Sequence, residues 1–218
     1  MLESNQEYKL RLKTLGEIGK FTRGNGIAKS DLKLNGKPVI HYGQIHTTYN
    51  IRTDKTFSFV DDQIYSKLRK ANFNDLLIVT ASENQSDLGK SIVWTGKNEI
   101  GISDYVYAYK TKENSKYIQY WTQTNYFKEQ KNKNMRGSSI YYLLQENMEK
   151  FKILIPPLEL QNKIVAILDK FQDAIEHSKG LLPQEIELRK AQYEYYRDKL
   201  LSFDIDVTPE RERESKIQ

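Results

Sequence analysis

The sequence predicts an α+β protein: a β-rich domain over residues 1–155, a long helical, coiled-coil-like region over 156–203, and a charged tail over 204–218, read as disordered. Three observations carry that prediction. Short apolar runs of four or five residues, separated by turn-forming residues, recur through the first 155 positions. Pro156 and Pro157 end the last of them, because proline cannot donate to a β-ladder. Beyond them the apolar spacing changes to the three-four rhythm of an amphipathic helix.

In order along the chain, residues from Thr14 to Gly19 form a short amphipathic opening. Turns follow at Arg23 to Gly26 and at Asn35 and Gly36, because glycine readily takes the positive φ that tight turns require. Strands are expected from Pro38 to Tyr42, Phe57 to Val60, Leu76 to Val79, Ser91 to Thr95, Tyr105 to Tyr109 and Phe151 to Ile155. Asn74 and Asp75 supply the turn before the third strand. Tyr117, Tyr120, Trp121 and Phe127 recur at helical spacing. In the rear region Ile164, Leu168, Phe171 and Ile175 mark one stripe of a helix from about Leu158 to Ser178. The segment from Lys179 to Pro183 breaks it, glycine suiting the end of one helix and proline the start of the next. A second helix reaches about Ser202, with Ile186, Tyr193 and Leu200 repeating every seven residues. These seven side chains are expected to bury against a partner helix or each other. The sequence leaves both a hairpin and a kinked rod open. Full burial of Phe171 would make Phe171→Ala cost about 3–5 kcal/mol.

Net charge is +5, unevenly spread. Residues 1–155 carry 24 Lys and Arg against 16 Asp and Glu, whereas residues 156–218 carry 10 against 13. The basic front suits a polyanionic partner, and a Lys-rich solvated surface is the plainer alternative. No run of eighteen apolar residues exists to span a membrane, and the N-terminus has no apolar signal segment. The absence of cysteine excludes disulfides, thiolate catalysis and Cys-based zinc sites, and fits a cytoplasmic protein.

Searching for catalytic chemistry returns little. Gly89, Lys90 and Ser91 resemble the end of a phosphate-binding loop, but Asn84 stands where the first glycine should be, and a strand follows where a helix should open. Pro156 and Pro157 lack the Asn or Asp and the aromatic neighbour that accompany the Pro-Pro dipeptide of amino-methyltransferases. Asp75, Glu83, Asp87 and Lys90 are close in sequence but match no nuclease spacing. His41 and His46 imply no third metal ligand. No catalytic residue and no metal site are therefore expected.

Binding is better supported. Three polar segments, 41–48, 80–90 and 128–139, carry the residue types that hold phosphates or read base edges. The candidate DNA contacts are Arg23, Lys29, His41, Tyr42, Gln44, His46, Ser82, Asn84, Gln85, Lys90, Lys131, Lys133, Arg136 and Ser138.

The order of motifs resembles the specificity subunit of type I restriction-modification systems. The matching pieces are Leu15 to Ile18 with the glycine turn at 24–26, Gly36 to Gly43, Asn74 to Asn84 followed by Asp87 to Lys90, and Arg136 to Ser139. Ile155 to Gln161 and Gln192 to Leu201 complete the series and are the most specific. The resemblance spans about residues 10–203. It implies a subunit that does no chemistry itself and reads one half of a split target in double-stranded DNA. It also implies helices that dock modification subunits, which methylate adenine with S-adenosylmethionine, and a restriction subunit that uses ATP and Mg²⁺. No cofactor is implied for this chain. A full subunit of the family has two recognition domains and two helical regions, whereas this sequence shows one of each. It thus reads as a half-subunit, a truncated product or an excised piece, and a half-subunit is expected to homodimerise through its helices. Two readings of other classes stand beside this one: a helical assembly or regulatory protein, such as a silent recognition cassette, and a metal-dependent nuclease.

Overall fold

The computed structural model describes residues 9–177 and 183–203. The chain opens with strand β1 (Arg11–Thr14) and the one-turn helix α1 (Leu15–Ile18). Thr14 and Glu17 cap α1 reciprocally: the Glu17 N–H donates to Thr14 Oγ1 at 3.3 Å and the Thr14 N–H donates to Glu17 Oε2 at 2.7 Å. Next come β2 (Gly19–Arg23), a 3₁₀ turn at Lys29–Asp31, β3 (Lys37–Ile40), α2 (Tyr42–Thr47), β4 (Arg52–Thr53), β5 (Ser58–Val60), α3 (Asp62–Lys67) and β6 (Lys70–Ala71). Then follow β7 (Leu76–Val79), β8 (Ala81–Ser82), β9 (Ser91–Trp94), β10 (Ile100–Ile102) and β11 (Val106–Thr111). The remainder is α4 (Ser115–Trp121), α5 (Asn125–Asn134), β12 (Tyr141–Tyr142), α6 (Gln145–Met148), β13 (Lys152–Ile155), α7 (Leu158–Glu176) and α8 (Pro183–Ser202).

A five-stranded sheet in the order β2-β11-β7-β9-β4 forms the centre, and a four-stranded sheet, β5-β3-β10-β6, lies beside it. The continuous apolar run of β7 follows from its position. Leu76 and Ile78 point into a core shared with α4, α7 and α8, while Leu77 and Val79 point into a second core with Ile40, Ile100 and Ile102 of the smaller sheet. Period-two alternation with both faces covered leaves no room for a polar residue. β11 divides likewise, Tyr107 and Tyr109 facing the helices and Val106 and Ala108 the other sheet. The first and last strands of the β-rich part close on each other: β1 pairs antiparallel with β13, Arg11 opposite Ile155 and Thr14 opposite Lys152.

Three sequence expectations change. The strand expected from Pro38 to Tyr42 ends at Ile40, and α2 begins at Tyr42. His41 explains the switch, since its Nδ1 accepts the Gly43 N–H at 3.2 Å while its own N–H donates to Gln44 Oε1 at 3.2 Å. The helix expected around 117–127 is two helices, α4 and α5, parted where Thr124 Oγ1 accepts the Phe127 N–H at 3.3 Å. The segment 128–139, read as a loop, is helical to Asn134. Its polar composition hides a narrow inward seam, because the only buried residues of α5 are Phe127 and Lys131, one helical turn apart.

Helices α7 and α8 pack on each other and, through Ile164, Val165, Leu168, Tyr193 and Leu201, on the main core. Only residues 178–182 separate His177 from Pro183, and five residues reach roughly 20 Å. A 19-residue helix is about 28 Å long. The connection cannot run back along α7, so the two packed helices are an antiparallel hairpin. The break expected from Lys179 to Pro183 lies outside the described residues except for Pro183, which opens α8. Ser178 and the tail 204–218 also lie outside them.

The proposed heptad seam is corrected by this packing. Ile164, Leu168 and Tyr193 are buried in the chain's own core, and Phe171, Ile175 and Leu200 are half-buried against it. Ile186 is half-buried outside that cluster. The inward stripe of α8 is Tyr193, Arg197 and Leu201, at every fourth position, rather than the seven-residue repeat. These side chains are covered intramolecularly because the hairpin leans on α4 and the central sheet instead of projecting from them.

Polar contacts fix where α7 leaves the domain. Gln161 is fully buried, its Nε2 donating to Pro156 O at 2.9 Å and to Glu113 Oε2 at 2.6 Å, while its Oε1 accepts the Asn114 N–H at 2.9 Å. Asn114 in turn caps α4, accepting from the Lys116 N–H at 2.9 Å. Further along α7, Asp169 accepts from the Tyr120 hydroxyl at 2.7 Å and from the Lys116 ammonium, with Arg52 Nη1 at 3.5 Å.

Two stability outcomes follow. Gln161→Met keeps the volume but strands the Asn114 N–H and the Pro156 carbonyl, and should lower the unfolding free energy by about 1–3 kcal/mol in urea denaturation. Phe171 is only half-buried, stacked on Tyr196 at 5.4 Å between ring centroids, so Phe171→Ala should cost about 1–2 kcal/mol rather than the full-burial figure. An unchanged midpoint for Gln161→Met would show that the buried amide does not hold the helix to the domain.

Candidate nucleic-acid interface

Two of the three polar segments close on one end of the domain, and the third reaches it through its last residues. β8 pairs with β12, Ser82 opposite Tyr141 and Ala81 opposite Tyr142. Arg136 and Tyr142 exchange backbone hydrogen bonds at 3.0 and 2.8 Å across a tight turn. That turn requires glycine: Gly137 has φ +100°, and a Cβ there would lie 1.9 Å from Ile140 O. α2 comes up on the other side. The result is a concavity of about 380 Å³ lined by Tyr42, Gly43, His46 and Thr47 of α2, residues Ala81 to Asn84 with Asp87, and Tyr105, Ile140 and Tyr142.

Aromatic rings form its frame. Tyr42 meets Tyr105 edge-on at 5.6 Å, Tyr105 lies 6.2 Å from Tyr142, and His41 tilts against Tyr42 at 4.4 Å. Tyr105 takes a left-handed backbone, φ +65°, and its carbonyl accepts the Thr80 N–H at 2.8 Å, which ties the β10–β11 turn to the start of the polar loop.

The 80–90 loop is held from within. Its base closes through Gly89 N–H to Val79 O and Val79 N–H to Lys90 O, both at 2.9 Å. Leu88 is buried in the core, and Ser82 Oγ accepts the Asn84 N–H at 3.1 Å. Lys131 reaches up from α5, its buried ammonium donating to Gln85 O at 2.6 Å. The loop therefore presents its tip in a set shape.

The residues expected to contact DNA divide accordingly. Tyr42, His46, Ser82 and Asn84 line the concavity, with His41 against Tyr42 and Arg136 joined to Tyr142. Arg23, Lys29, Gln85, Lys133 and Ser138 are exposed, Arg23 at the end of β2 opposite Tyr107 and Lys133 on α5. Lys90 is exposed, but its ammonium pairs with Asp87 at 2.7 Å. Three of these side chains are already engaged within the domain. Lys131 is 5 % exposed and spent on the Gln85 carbonyl. Ser82 is 8 % exposed and caps the loop. Gln44 is engaged at both ends, with the His41 N–H and with Ser58 Oγ at 2.8 Å. Sequence reasoning missed Tyr105, Ile140 and Tyr142. The position of Tyr105 directly after Ser103 and Asp104, where a turn precedes a tyrosine-alternating strand, is the one local sign of an aromatic at a loop tip.

Glu83 and Asp87 line the same concavity, but Asp75 stands apart from them. Asp75 precedes β7 and is buried, accepting the Asn72 N–H at 2.8 Å, with its pKa raised by burial. Asp87 lies in the loop beyond the other end of β7, its pKa lowered first by the hydrogen bond from Lys90. Among the described residues no group of three or more His, Asp or Glu side chains is placed to hold a metal ion.

His41, which caps α2, and His46 within it are both pushed below the usual 6.5, chiefly by burial. Both ring nitrogens of His46 are buried without a hydrogen-bond partner. A depressed histidine favours folding while neutral, so its contribution is complete above 6.5 and is lost as pH falls through the folded value. Urea titrations should show stability declining from about pH 6.5 towards pH 5, and His46→Phe should shrink that decline. A steeper decline in the variant would mean that the ring is partnered on protonation.

Residues 8–188 match the family model for the type I restriction modification DNA specificity domain. The chain is 29% identical over 206 residues to the type I restriction enzyme EcoR124I/EcoR124II specificity subunit of Escherichia coli, covering 93% of this chain and 50% of that protein. It is 39% identical over 61 residues to the type I restriction enzyme MpnII specificity subunit of Mycoplasma pneumoniae, 28% of this chain and 18% of that one. The fold resembles the HsdS subunit of Thermoanaerobacter tengcongensis, with TM-score 0.58 at 18% identity over 94% of this chain and 47% of the other. It also resembles the S subunit of M. genitalium, with TM-score 0.55 at 11% identity over 83% and 43%. The chain thus spans at most about half the length of these relatives. With its family model matched across most of its length, the chain belongs to the type I restriction modification DNA specificity domain family.

Proposed function

We propose that this chain recognises one half of a split DNA target as the specificity component of a type I restriction-modification complex, and docks the methyltransferase subunits through its helical hairpin. The observation that carries the reading is the convergence of α2, the 80–90 loop and the 136–142 turn on a tyrosine-framed concavity in the basic domain. Rigid loops with Asn, Tyr and Arg at their tips supply base-edge and phosphate contacts together. The chain does no chemistry in this reading. The methyltransferase subunits bring S-adenosylmethionine, the restriction subunit brings ATP and Mg²⁺, and the assembly works on chromosomal DNA in the cytoplasm. No described helix is long and apolar enough to cross a membrane.

The finer proposal is a homodimer through the hairpin. Its support is the outer face of α8, where Leu188 is 66 % and Tyr195 61 % exposed. Two-fold symmetry would then set two identical domains on the DNA and select a split palindrome.

The test is duplex binding by the chain with its modification subunits as ionic strength rises, together with adenine-methylation mapping in cells that carry them. Affinity should fall steeply with salt. Lys29→Ala or Arg136→Ala should each reduce the slope by about one phosphate contact without altering the methylated sequence. Salt-insensitive binding and no sequence-specific methylation would overturn the reading.

A further inference from the structure

We propose that the Glu83 carboxylate accepts a hydrogen bond from an exocyclic base amine, cytosine N4 or adenine N6, and so specifies one position of the target; this rests on the DNA-recognition reading above. Glu83 is exposed on the wall of the concavity, between the buried β8 strand and Asn84. Of the two carboxylates on that wall, Asp87 is neutralised by Lys90 at 2.7 Å and touches Asn84 Nδ2 at 3.4 Å. Among the described residues Glu83 has neither an ion pair nor a side-chain hydrogen bond.

An unpaired negative charge at this point is unfavourable against a polyanion. Phosphate oxygens only accept hydrogen bonds, as does a carboxylate, so Glu83 cannot serve as a backbone contact. The groups on DNA that a carboxylate can bind are the donors of the base edges. In the major groove these are the amines of cytosine and adenine, and thymine O4 and guanine O6 and N7 offer acceptors that repel it. The residue is thus suited to discriminate rather than to attract. Its setting allows that, because discrimination needs a side chain held in register. The loop is closed at its base, sealed by Leu88, and supported from below by the Lys131 ammonium on Gln85 O at 2.6 Å. Tyr42 and Tyr142 line the same hollow, and their apolar ring faces restrict the water available to a competing contact.

The experiment selects binding sites from a pool of randomised duplexes, using the full chain with its modification subunits, for wild type, Glu83→Gln and Glu83→Ala. Each variant is also titrated against a non-specific duplex at several salt concentrations. The expected wild-type motif contains a cytosine or adenine at one position whose discrimination falls roughly ten-fold or more in Glu83→Ala. Glu83→Gln, whose amide can also donate, should admit thymine or guanine there. Replacing the base by 2-pyrimidinone for cytosine, or by purine for adenine, removes only the amine and should reproduce the wild-type penalty at that position alone. The proposal is overturned when both variants keep the whole motif and bind every sequence more tightly, which is the behaviour of a plain repulsive surface charge. A wild-type selection that yields no motif overturns the DNA-recognition reading itself, and this assignment with it.

Discussion

The buried amide of Gln161 is the contact on which the arrangement of the whole chain depends. It joins three things that sequence keeps apart: the Pro156 carbonyl at the end of the β-rich part, the Asn114 N–H that begins α4, and the Glu113 carboxylate. A polar side chain with no solvent contact must have all its partners present, so the group specifies one geometry for α7 relative to α4. Asp169 repeats the constraint two turns further on, gathering Tyr120, Lys116 and Arg52. Between them the apolar stripe of α7 closes the core over the central sheet. The result is that the helical hairpin and the β-rich domain share a single hydrophobic core, and the direction of the hairpin is set by the domain it leaves.

That rigidity bears on function. In the proposed reading, a subunit that reads DNA at one end and carries helices at another must transmit a defined spacing between them. Here the path is short and packed: from the concavity through β7 and β9 to α4, and from α4 to α7. The two faces of β7 illustrate the division of labour, one filling the core under the helices and the other the core beneath the four-stranded sheet. Lys131 plays a related part nearer the concavity. Its charge is used to brace a loop rather than to meet a phosphate, at the cost of burying an ammonium that has one carbonyl to bind.

The elements legible in the sequence were those whose own residues decide them. The β7 strand, the Gly26 and Gly36 turns and the two long rear helices follow from local periodicity and from backbone restriction, and each lies where the pattern puts it. Illegible elements were those decided by distant partners. The two-residue strands β8 and β12 exist only because they pair with each other across about sixty positions of chain. Helix α2 looked like a polar loop because the capping role of His41 and Gln44 appears only once the chain has turned. Helix α5 looked like loop because its inward seam includes a lysine.

The sequence by itself determined the class, the family, the basic character of the front half and the identity of the segments that carry polar, DNA-competent groups. Those depend on composition, order and short-range spacing. The tertiary structure decided which of those groups stand together and which are withdrawn. It set Tyr105 and Tyr142 beside Tyr42, engaged Lys131, Ser82 and Gln44 in bracing the domain, and left Glu83 facing the hollow with no side-chain partner among the described residues. It also placed Ile164, Leu168 and Tyr193 of the rear helices in the chain's own core. The physical reason is the same in each case. A side chain's availability is set by what packs or hydrogen-bonds against it, and those neighbours are supplied by residues too far along the chain for any local pattern to register.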